Sequence, residues 1–339
     1  MQPVSDTLAD VLLNAAMGQV AQLVGMPLND RIIRFVKRVY DRVTQDPRRP
    51  QYRPAYETFS IPKRKKPGQF RQITAPNKGL KFMQERILHG LLEKHYTPTA
   101  ICHSVPRQYD LIRAGITPRS IVSNAFAHLG VPPGVNPYDE LACEEIKWRR
   151  PQALFSVDVK DAFPSITDEH VFDIFERIIG DPMLALTLTR LCTWNGCLPQ
   201  GAPTSSLLLN MVFEPVDAVL QQEFGSFPFR VTRYVDDITV TSTRPAIKKR
   251  DREKLVTFLA DHGFRVNDEK TCYWLRWRHV LRVTGLNIFS RLSRPPEAAE
   301  ECKAPFPIGL AYMPGCIVLP PRAVDQFRAL LHGLTRELR

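Results

Sequence analysis

Apolar residues recur at a spacing close to the helical period in several stretches of the chain. Residues 4–24 and 29–43 show this pattern, and residues 78–96 (KGLKFMQERILHGLLEKHY) show it most clearly. Further helices are predicted for residues 167–180, 201–224 and 251–263. In the segment 78–96 the apolar side chains fall on one helical face: Leu80, Met83, Ile87, Leu91 and Leu92.

Alternating and β-branched patterns predict strands between these helices. TFSIP and FRQITAP flank a basic loop, and ALFSVD at residues 153–158 begins as a strand. Residues 230–234 and 238–242 form a β-hairpin pattern around a Val-Asp-Asp tip. This order of elements predicts an α+β fold in which an antiparallel sheet lies beneath helices.

Carboxylates interrupt two of these apolar strands. Asp236 and Asp237 lie side by side in the hairpin, and Asp158 lies in the strand at residues 153–158. Neighbouring like charges raise each other's pKa unless a cation lies between them. Three acids on a strand and a hairpin are what two-metal phosphoryl transfer requires, with two Mg²⁺ ions as the cofactor and Mn²⁺ as the alternative. The other interpretation is a solvated hairpin tip.

Composition indicates a globular protein with no membrane partner. Apolar residues make up 44% of the chain, and no run is long enough to form a spanning helix. Asp6 and Asp10 stand where a secretory signal would carry basic residues, so we expect a cytoplasmic protein. The seven cysteines include no C-x-x-C pair, which favours reduced thiols; zinc ligation by Cys192 and Cys197 is the alternative.

The charge balance indicates a polyanionic partner. The net charge is +11 and the pI is about 9.4. Basic residues cluster at 63–66, 147–150 and 248–254. A run of charged residues is often only a solvated surface, but here the net charge of the whole chain is also positive, which favours a nucleic-acid partner.

Several sequence blocks resemble the motifs of reverse transcriptases. FSVDVKDAFPSI, LPQGAPTSSLLLN and YVDD occur in the order of the palm motifs, and GFRVNDEKT resembles the palm motif that follows them. FSIPKRKKPGQFRQITAP resembles the fingers motifs, and VTGL resembles the primer grip. The resemblance covers roughly residues 55–290. It implies a right-hand polymerase with fingers, palm and a short helical thumb that catalyses RNA-directed DNA synthesis.

The resemblance also assigns roles to individual residues. Asp158, Asp236 and Asp237 would be the catalytic residues and metal ligands, with the backbone carbonyl of Val159 as an extra ligand. Residues from several motifs would bind the deoxynucleoside triphosphate: Arg71, Lys65, Asp161, Ala162, Phe163, Gln200, Gly201 and Lys270.

Some of these nucleotide contacts have competing interpretations. Phe163 falls at the steric-gate position that excludes a 2′-hydroxyl; the alternative is plain core packing. Arg71 would hold the triphosphate together with one residue of the segment 63–65, and the sequence does not decide which one. Lys270 matches a lysine proposed to protonate pyrophosphate; otherwise it is a surface lysine.

Two short signatures resemble those of retron reverse transcriptases. Asn124 and His128 belong to an N-A-x-x-H sequence, and Val283, Thr284 and Gly285 form V-T-G. The resemblance implies that a structured non-coding RNA serves as template and primer, that an RNA–DNA hybrid is made, and that an effector protein takes part in anti-phage defence. These five residues would bind RNA or primer; alternatively, Asn124 and His128 brace the junction of fingers and palm.

The motifs predict four regions: an N-terminal helical extension (1–54), fingers (55–152, with insertions near 104–118 and 131–151), palm (153–282), and primer grip with a short thumb (283–339). The family's usual HGF reads HSV at residues 103–105, and only one clear helix, 322–338, follows V-T-G. The N-terminal extension either docks a partner or packs its apolar residues against the chain's own palm.

Two other functions fit the same motifs. One is a different bacterial defence reverse transcriptase that makes untemplated or protein-primed DNA. The second is a non-catalytic RNA-binding scaffold for an effector. All three acids and Gln200 are present, so no residue favours the scaffold.

Overall fold

Backbone contacts divide the computed structural model into two units, each assembled from segments far apart in the chain. The structure describes residues 8–62, 68–104, 119–129, 150–288 and 292–293. The first unit consists of the described parts of Met1–Thr99, Lys160–Val216 and His262–Phe264. The second consists of the described parts of Ala100–Val159, Asp217–Asp261 and Arg265–Arg339.

Helices and strands alternate in a mixed order, as expected for an α+β fold. The helices in chain order are α1 (Leu8–Leu23), α2 (Asp30–Thr44), α3 (Lys78–Ile87, continued by a π-helical turn at Leu88–Leu92 and a last turn at Glu93–His95), α4 (Ile121–Ala127), α5 (Ala162–Ser165), α6 (Asp168–Ile179), α7 (Pro182–Cys192), α8 (Ser205–Val212), α9 (Glu214–Phe224) and α10 (Lys249–Asp261). The strands are β1 (Tyr56–Pro62), β2 (Phe70–Pro76), β3 (Ala153–Asp158), β4 (Phe229–Tyr234), β5 (Asp237–Ser242), β6 (Cys272–Leu275), β7 (Arg282–Val283), β8 (Leu286–Ile288) and β9 (Leu292–Ser293).

Helix α3 organises the first unit. The five apolar residues predicted to share its face, and that of its continuation, are all buried, which confirms the pattern. The polar Gln84 is buried among them, and its Nε2 donates to the Tyr56 hydroxyl at 2.7 Å and to the Leu191 carbonyl at 2.8 Å. Because buried amides need partners, these two bonds fix β1 and α7 against α3.

A four-stranded antiparallel sheet forms the centre of the second unit. Its strand order is β4-β5-β3-β6, so β3 and β5, which carry predicted site residues, are the two inner strands. The β4–β5 hairpin predicted from the sequence is present, with Tyr234 paired to Asp237 at its closed end. The sheet therefore presents the hairpin turn next to the last residue of β3.

A small sheet and helix α4 form a second apolar cluster in this unit. The sheet has the order β7-β8-β9. Ala125 and Leu129, from α4 and the turn after it, pack with Val283 and Leu286 from β7 and β8. The N-A-x-x-H and V-T-G signatures are thus neighbours in space.

The sequence interpretation missed or misplaced several elements, of which three bear on the units described above. Helix α7 was not predicted, although Asp181 caps it by accepting the N–H groups of Met183 and Leu184. Strand β6 was also missed. The single helix predicted for residues 201–224 is wrong, because α8 ends at Val212 and α9 begins at Glu214. Pro215 explains the break, since its ring lacks an N–H and clashes with the preceding turn.

Some predicted regions lie outside the described residues. These are residues 1–7, Lys65 and its neighbours at 63–67, most of the two predicted insertions, and the predicted thumb helix. Across the described parts of the chain, no helix combines the length and apolar character needed to span a bilayer. Among those parts, four cysteines are free thiols: Cys102, Cys192, Cys197 and Cys272.

Candidate active site

The three predicted catalytic acids lie at one end of the central sheet. In the antiparallel pairing of β3 with β5, Asp158 is directly opposite Asp237. Asp236 occupies the adjoining hairpin turn, where its carbonyl accepts the Val159 N–H at 2.8 Å. Backbone pairing therefore brings together carboxylates that are almost eighty positions apart in the chain.

Asp237 lies where an ionised carboxylate is disfavoured. The pKa of Asp237 is raised to about 6. Burial is the largest cause, the charges of Asp236 and Asp158 add to it, and hydrogen bonds from Ser156 and Thr239 act in the opposite direction. The Ser156 hydroxyl donates to Asp237 Oδ1 at 2.7 Å. A cation beside these acids would stabilise the ionised form.

Asp158 already has a cationic neighbour. The Lys270 ammonium donates to Asp158 Oδ1 at 2.6 Å and to Oδ2 at 2.8 Å, and Asn267 Nδ2 donates to Oδ1 at 3.3 Å. Lys270 thus lies within the acidic cluster, and Asn267 is a neighbour of this cluster that the sequence interpretation did not single out.

These acids suit a metal ion in two respects: their ligand atoms are carboxylate oxygens, and strand pairing places Asp158 opposite Asp237. Carboxylate oxygens are the ligands that Mg²⁺ prefers. In the described part of the chain, no group of three or more His, Cys, Asp or Glu side chains is close enough to hold a metal ion. Lys270 bonds both oxygens of Asp158, so metal binding by Asp158 would require this ammonium to move away.

The hairpin turn that carries Asp236 has an unusual backbone. Val235 has a φ of 59°, a left-handed conformation that is strained for a β-branched residue. The Val235 N–H donates to Ser104 Oγ at 2.9 Å, and its carbonyl accepts from Arg233 Nη1 at 3.0 Å. These two bonds hold the turn in its strained form.

Arg233 is itself fixed by a buried carboxylate. Its Nε and Nη2 donate to the two oxygens of Asp217 at 2.6 and 2.7 Å, and both side chains are fully buried. The sequence interpretation missed Arg233, Asp217 and Ser104. The available signals were an arginine directly before the YVDD motif and an acid within the apolar pattern of α9.

The first unit brings together three of the predicted nucleotide contacts. The Gln200 carbonyl accepts the Thr74 N–H at 2.8 Å, which places Gln200 and Gly201 against β2, the strand of the exposed Arg71. Gly201 has a φ of 127°, and a Cβ there would lie 2.8 Å from the Ile73 side chain. Only glycine allows this close approach.

The other described residues of the first unit that were predicted to contact the nucleotide lie around α5. Asp161 precedes α5 in a left-handed conformation with a φ of 49°, and its carbonyl accepts the Ser165 N–H at 3.0 Å. Ala162 is buried and Phe163 is half-buried. Lys65 lies outside the described residues.

The two residues of the N-A-x-x-H signature face the interior of the second unit. His128 is fully buried, and its ring nitrogens lie 2.7 Å from the Thr241 hydroxyl and 2.8 Å from the Thr232 hydroxyl. Burial lowers the pKa of His128 to about 3. Asn124 is also buried, and its amide has no hydrogen-bond partner among the described residues. These placements favour the bracing role left open by the sequence over direct contact with RNA.

The V-T-G signature forms a two-residue hairpin loop. Val283 pairs with Leu286, while Thr284 and Gly285 have φ values of 46° and 82°. Both values are positive, as in the type I′ turn that matches strand twist. The Thr284 hydroxyl donates to the Ile121 carbonyl at 2.9 Å, which connects this loop to α4.

Comparison with known proteins supports the predicted resemblance. Residues 61–288 match the family described as reverse transcriptase (RNA-dependent DNA polymerase). The chain is 28% identical to the retron Ec86 reverse transcriptase of Escherichia coli over 235 residues, covering 69% of this chain and 63% of that protein. It is 28% identical to the retron Mx65 reverse transcriptase of Myxococcus xanthus over 267 residues, covering 74% of this chain and 55% of that protein.

The chain therefore spans between about half and two thirds of the length of these relatives. Among solved structures, apo telomerase from Candida tropicalis, truncated from its C-terminal domain, aligns with a TM-score of 0.38 and 15% identity. That alignment covers 69% of this chain and 53% of the telomerase chain.

Proposed function

The chain belongs to the reverse transcriptase family, and on that premise we propose that it is the RNA-directed DNA polymerase of a retron. The observation that carries this proposal is the pairing of Asp158 with Asp237 across β3 and β5, with Asp236 in the adjoining turn. The retron assignment draws its support from the relatives and from the contact between the two signature segments.

We propose that Asp158, Asp236 and Asp237 hold divalent metal ions, with Mg²⁺ as the expected ion. When bound, such ions supply charge neutralisation for the attacking 3′-hydroxyl and the leaving pyrophosphate. The raised pKa of Asp237 supports this role, because a carboxylate that is buried and lies beside two further acids is stabilised in its ionised form by a cation. Lys270, released from Asp158, would then carry a proton within reach of the leaving group.

The first unit would bind the deoxynucleoside triphosphate. Arg71 is exposed on β2, and its planar guanidinium suits phosphate oxygens. Gln200 and Gly201 lie against the same strand and would position the base pair. Phe163 would exclude a 2′-hydroxyl, with Asp161 and Ala162 beside it.

The expected template and primer is a structured non-coding RNA, and the product is an RNA–DNA hybrid. A role in anti-phage defence with an effector protein follows from the resemblance to retrons. The predicted regions remain part of this proposal: fingers at 55–152, palm at 153–282 and a thumb after the primer grip.

Sequencing of the nucleic acid made in cells tests this function. The chain is expressed with its genomic flanks, purified, and compared with the Asp236→Asn/Asp237→Asn variant. We expect one short DNA joined to one neighbouring RNA, present only with the wild type. DNA that maps to no neighbouring RNA would instead indicate another defence reverse transcriptase, and RNA without any DNA would contradict polymerase activity.

A further inference from the structure

Trp277 is exposed in a short turn of the second unit. Its side chain is 69% exposed, and it lies between β6 and β7. The N–H groups of Arg278 and His279 both donate to the Leu275 carbonyl, at 2.9 and 2.8 Å. The ring is therefore presented to solvent on a hydrogen-bonded turn, although burial of a tryptophan would ordinarily stabilise the fold.

One guanidinium contacts this ring, and two more arginines are close to it in sequence. The Arg278 guanidinium lies 4.3 Å from the centre of the Trp277 ring, as in a cation–π contact. Arg276 is adjacent in the turn, and Arg282 begins β7, where its Nε donates to Asn287 Oδ1 at 3.1 Å. The turn thus combines a flat apolar surface with three permanent positive charges.

Arg150 adds a fourth positive charge that is not neutralised within the described residues. Burial lowers the pKa of Arg276, and the nearby charge of Arg150 lowers it further, so the two guanidiniums repel each other. Arg150 Nε is buried and has no hydrogen-bond partner among the described residues. An anion between these side chains would remove the repulsion and satisfy the buried donor.

We propose that the Trp277 turn, defined as residues 276–280 with Arg150 and Arg282, binds a single-stranded stretch of nucleic acid. One base stacks on Trp277, and phosphates bind Arg276, Arg278 and Arg150. Every base offers a π-face and every nucleotide a phosphate, so this chemistry fits a single strand without sequence preference. The site deepens the proposed function, on which it rests, by assigning a contact for the strand outside the paired template and primer.

Binding of labelled, unstructured oligonucleotides to the full chain tests the proposal. The probes are a single-stranded RNA, a single-stranded DNA and an RNA–DNA duplex of the same length, measured by fluorescence anisotropy. We expect Trp277→Ala to weaken single-strand binding by about fivefold or more, because stacking on one aromatic side chain is worth about 1–3 kcal/mol per base. Trp277→Phe should retain most of the affinity, and Arg278→Ala should reduce the salt slope by about 0.7.

Matched control variants show whether binding depends on the Trp277 turn or falls with the loss of any exposed aromatic ring or arginine. Phe227 is 78% exposed, so Phe227→Ala removes a comparable exposed ring. Arg177, whose side chain is 60% exposed and pairs with Glu214, is the control for Arg278 because it lies outside the basic clusters. Both controls should bind like wild type. If Trp277→Ala loses affinity for only the single-stranded RNA or only the single-stranded DNA, that result supports the site and identifies which kind of strand it binds.

The proposal is overturned if Trp277→Ala binds single strands like wild type, if Phe227→Ala loses as much affinity, or if only duplex binding falls. Unchanged oligonucleotide affinity would indicate an acidic protein surface as the partner of this turn. Deoxynucleotide incorporation by wild-type protein is measured separately. A wild type that binds through Trp277 but incorporates nothing would refute the polymerase and leave this binding site standing.

Discussion

His128 lies fully buried between the hydroxyls of Thr232 and Thr241, on the two strands that flank the turn of Val235 and Asp236. In the uncharged ring one nitrogen donates a hydrogen bond and the other accepts one, so the neutral imidazole can bond to both hydroxyls. Protonation would place a charge among buried groups, which explains the lowered pKa of about 3. At the scale of this residue, the histidine of the N-A-x-x-H sequence therefore braces the β4–β5 hairpin.

We predict that His128 makes stability dependent on pH. Its folded-state pKa lies below the ordinary value of 6.5, so the stabilisation is present above about pH 6.5 and is lost as the pH falls toward 3. Between about pH 7 and pH 5 this amounts to about 2 kcal/mol of unfolding free energy. His128→Gln should lose that part of the pH dependence in urea unfolding, whereas substitution of the exposed His95 should not. Equal pH profiles for wild type and His128→Gln would contradict this role.

At the scale of elements, the β4–β5 hairpin depends on a polar network beneath its turn. Arg233 bonds both the Val235 carbonyl and the buried Asp217, and Ser104 accepts the Val235 N–H. The network holds Val235 in a strained conformation and so fixes the backbone between Tyr234 and Asp236. Arg233 is therefore a positioning residue for the acids.

A pair of substitutions separates the stabilising and positioning effects of Arg233. Arg233→Met leaves Asp217 buried without its cation, and the expected cost is about 3–5 kcal/mol of unfolding free energy. The double variant Arg233→Met/Asp217→Leu should regain most of this stability, since an apolar pair of similar volume replaces the ion pair. Deoxynucleotide incorporation should stay low in both variants because the bond to Val235 is absent. Recovery of incorporation together with stability would show that the pair acts only on folding.

The sequence predicted elements whose signals are local. The hairpin, β3 and the apolar face of α3 follow from spacing alone, and the three acids stood out because they interrupt apolar strands. The Arg233–Asp217 pair could not be predicted in this way, because two charges inside an apolar pattern resemble surface residues until the fold buries them. The roles of His128 and Thr284 depend on partners more than a hundred positions away, which spacing does not reveal.

At the scale of the whole molecule, the positive charge is the property that bears most on the partner. The chain carries 46 basic and 35 acidic residues, a net charge of +11. Both units present exposed or partly exposed arginines, including Arg71 in the first and Arg278 in the second. Each phosphate contact releases counterions from the nucleic acid, so affinity should depend on salt.

We predict a steep salt dependence for RNA binding. If about six phosphates are contacted, affinity should fall by about 10³-fold between roughly 50 mM and 200 mM salt. Anisotropy titrations at several salt concentrations give the slope directly. A nearly flat dependence would mean that the net charge does not serve nucleic-acid binding.

The central claim is that Asp158, Asp236 and Asp237 carry out RNA-directed DNA synthesis. The most direct test is deoxynucleotide incorporation by the purified chain on an RNA template with an annealed primer, with each acid replaced by asparagine in turn. Asp173→Asn on the exposed face of α6 is the matched control. We predict that each of the three variants loses about 10³-fold or more in rate while binding the template–primer normally, and that the control stays at the wild-type rate. Incorporation by the three variants within about tenfold of wild type would contradict the account.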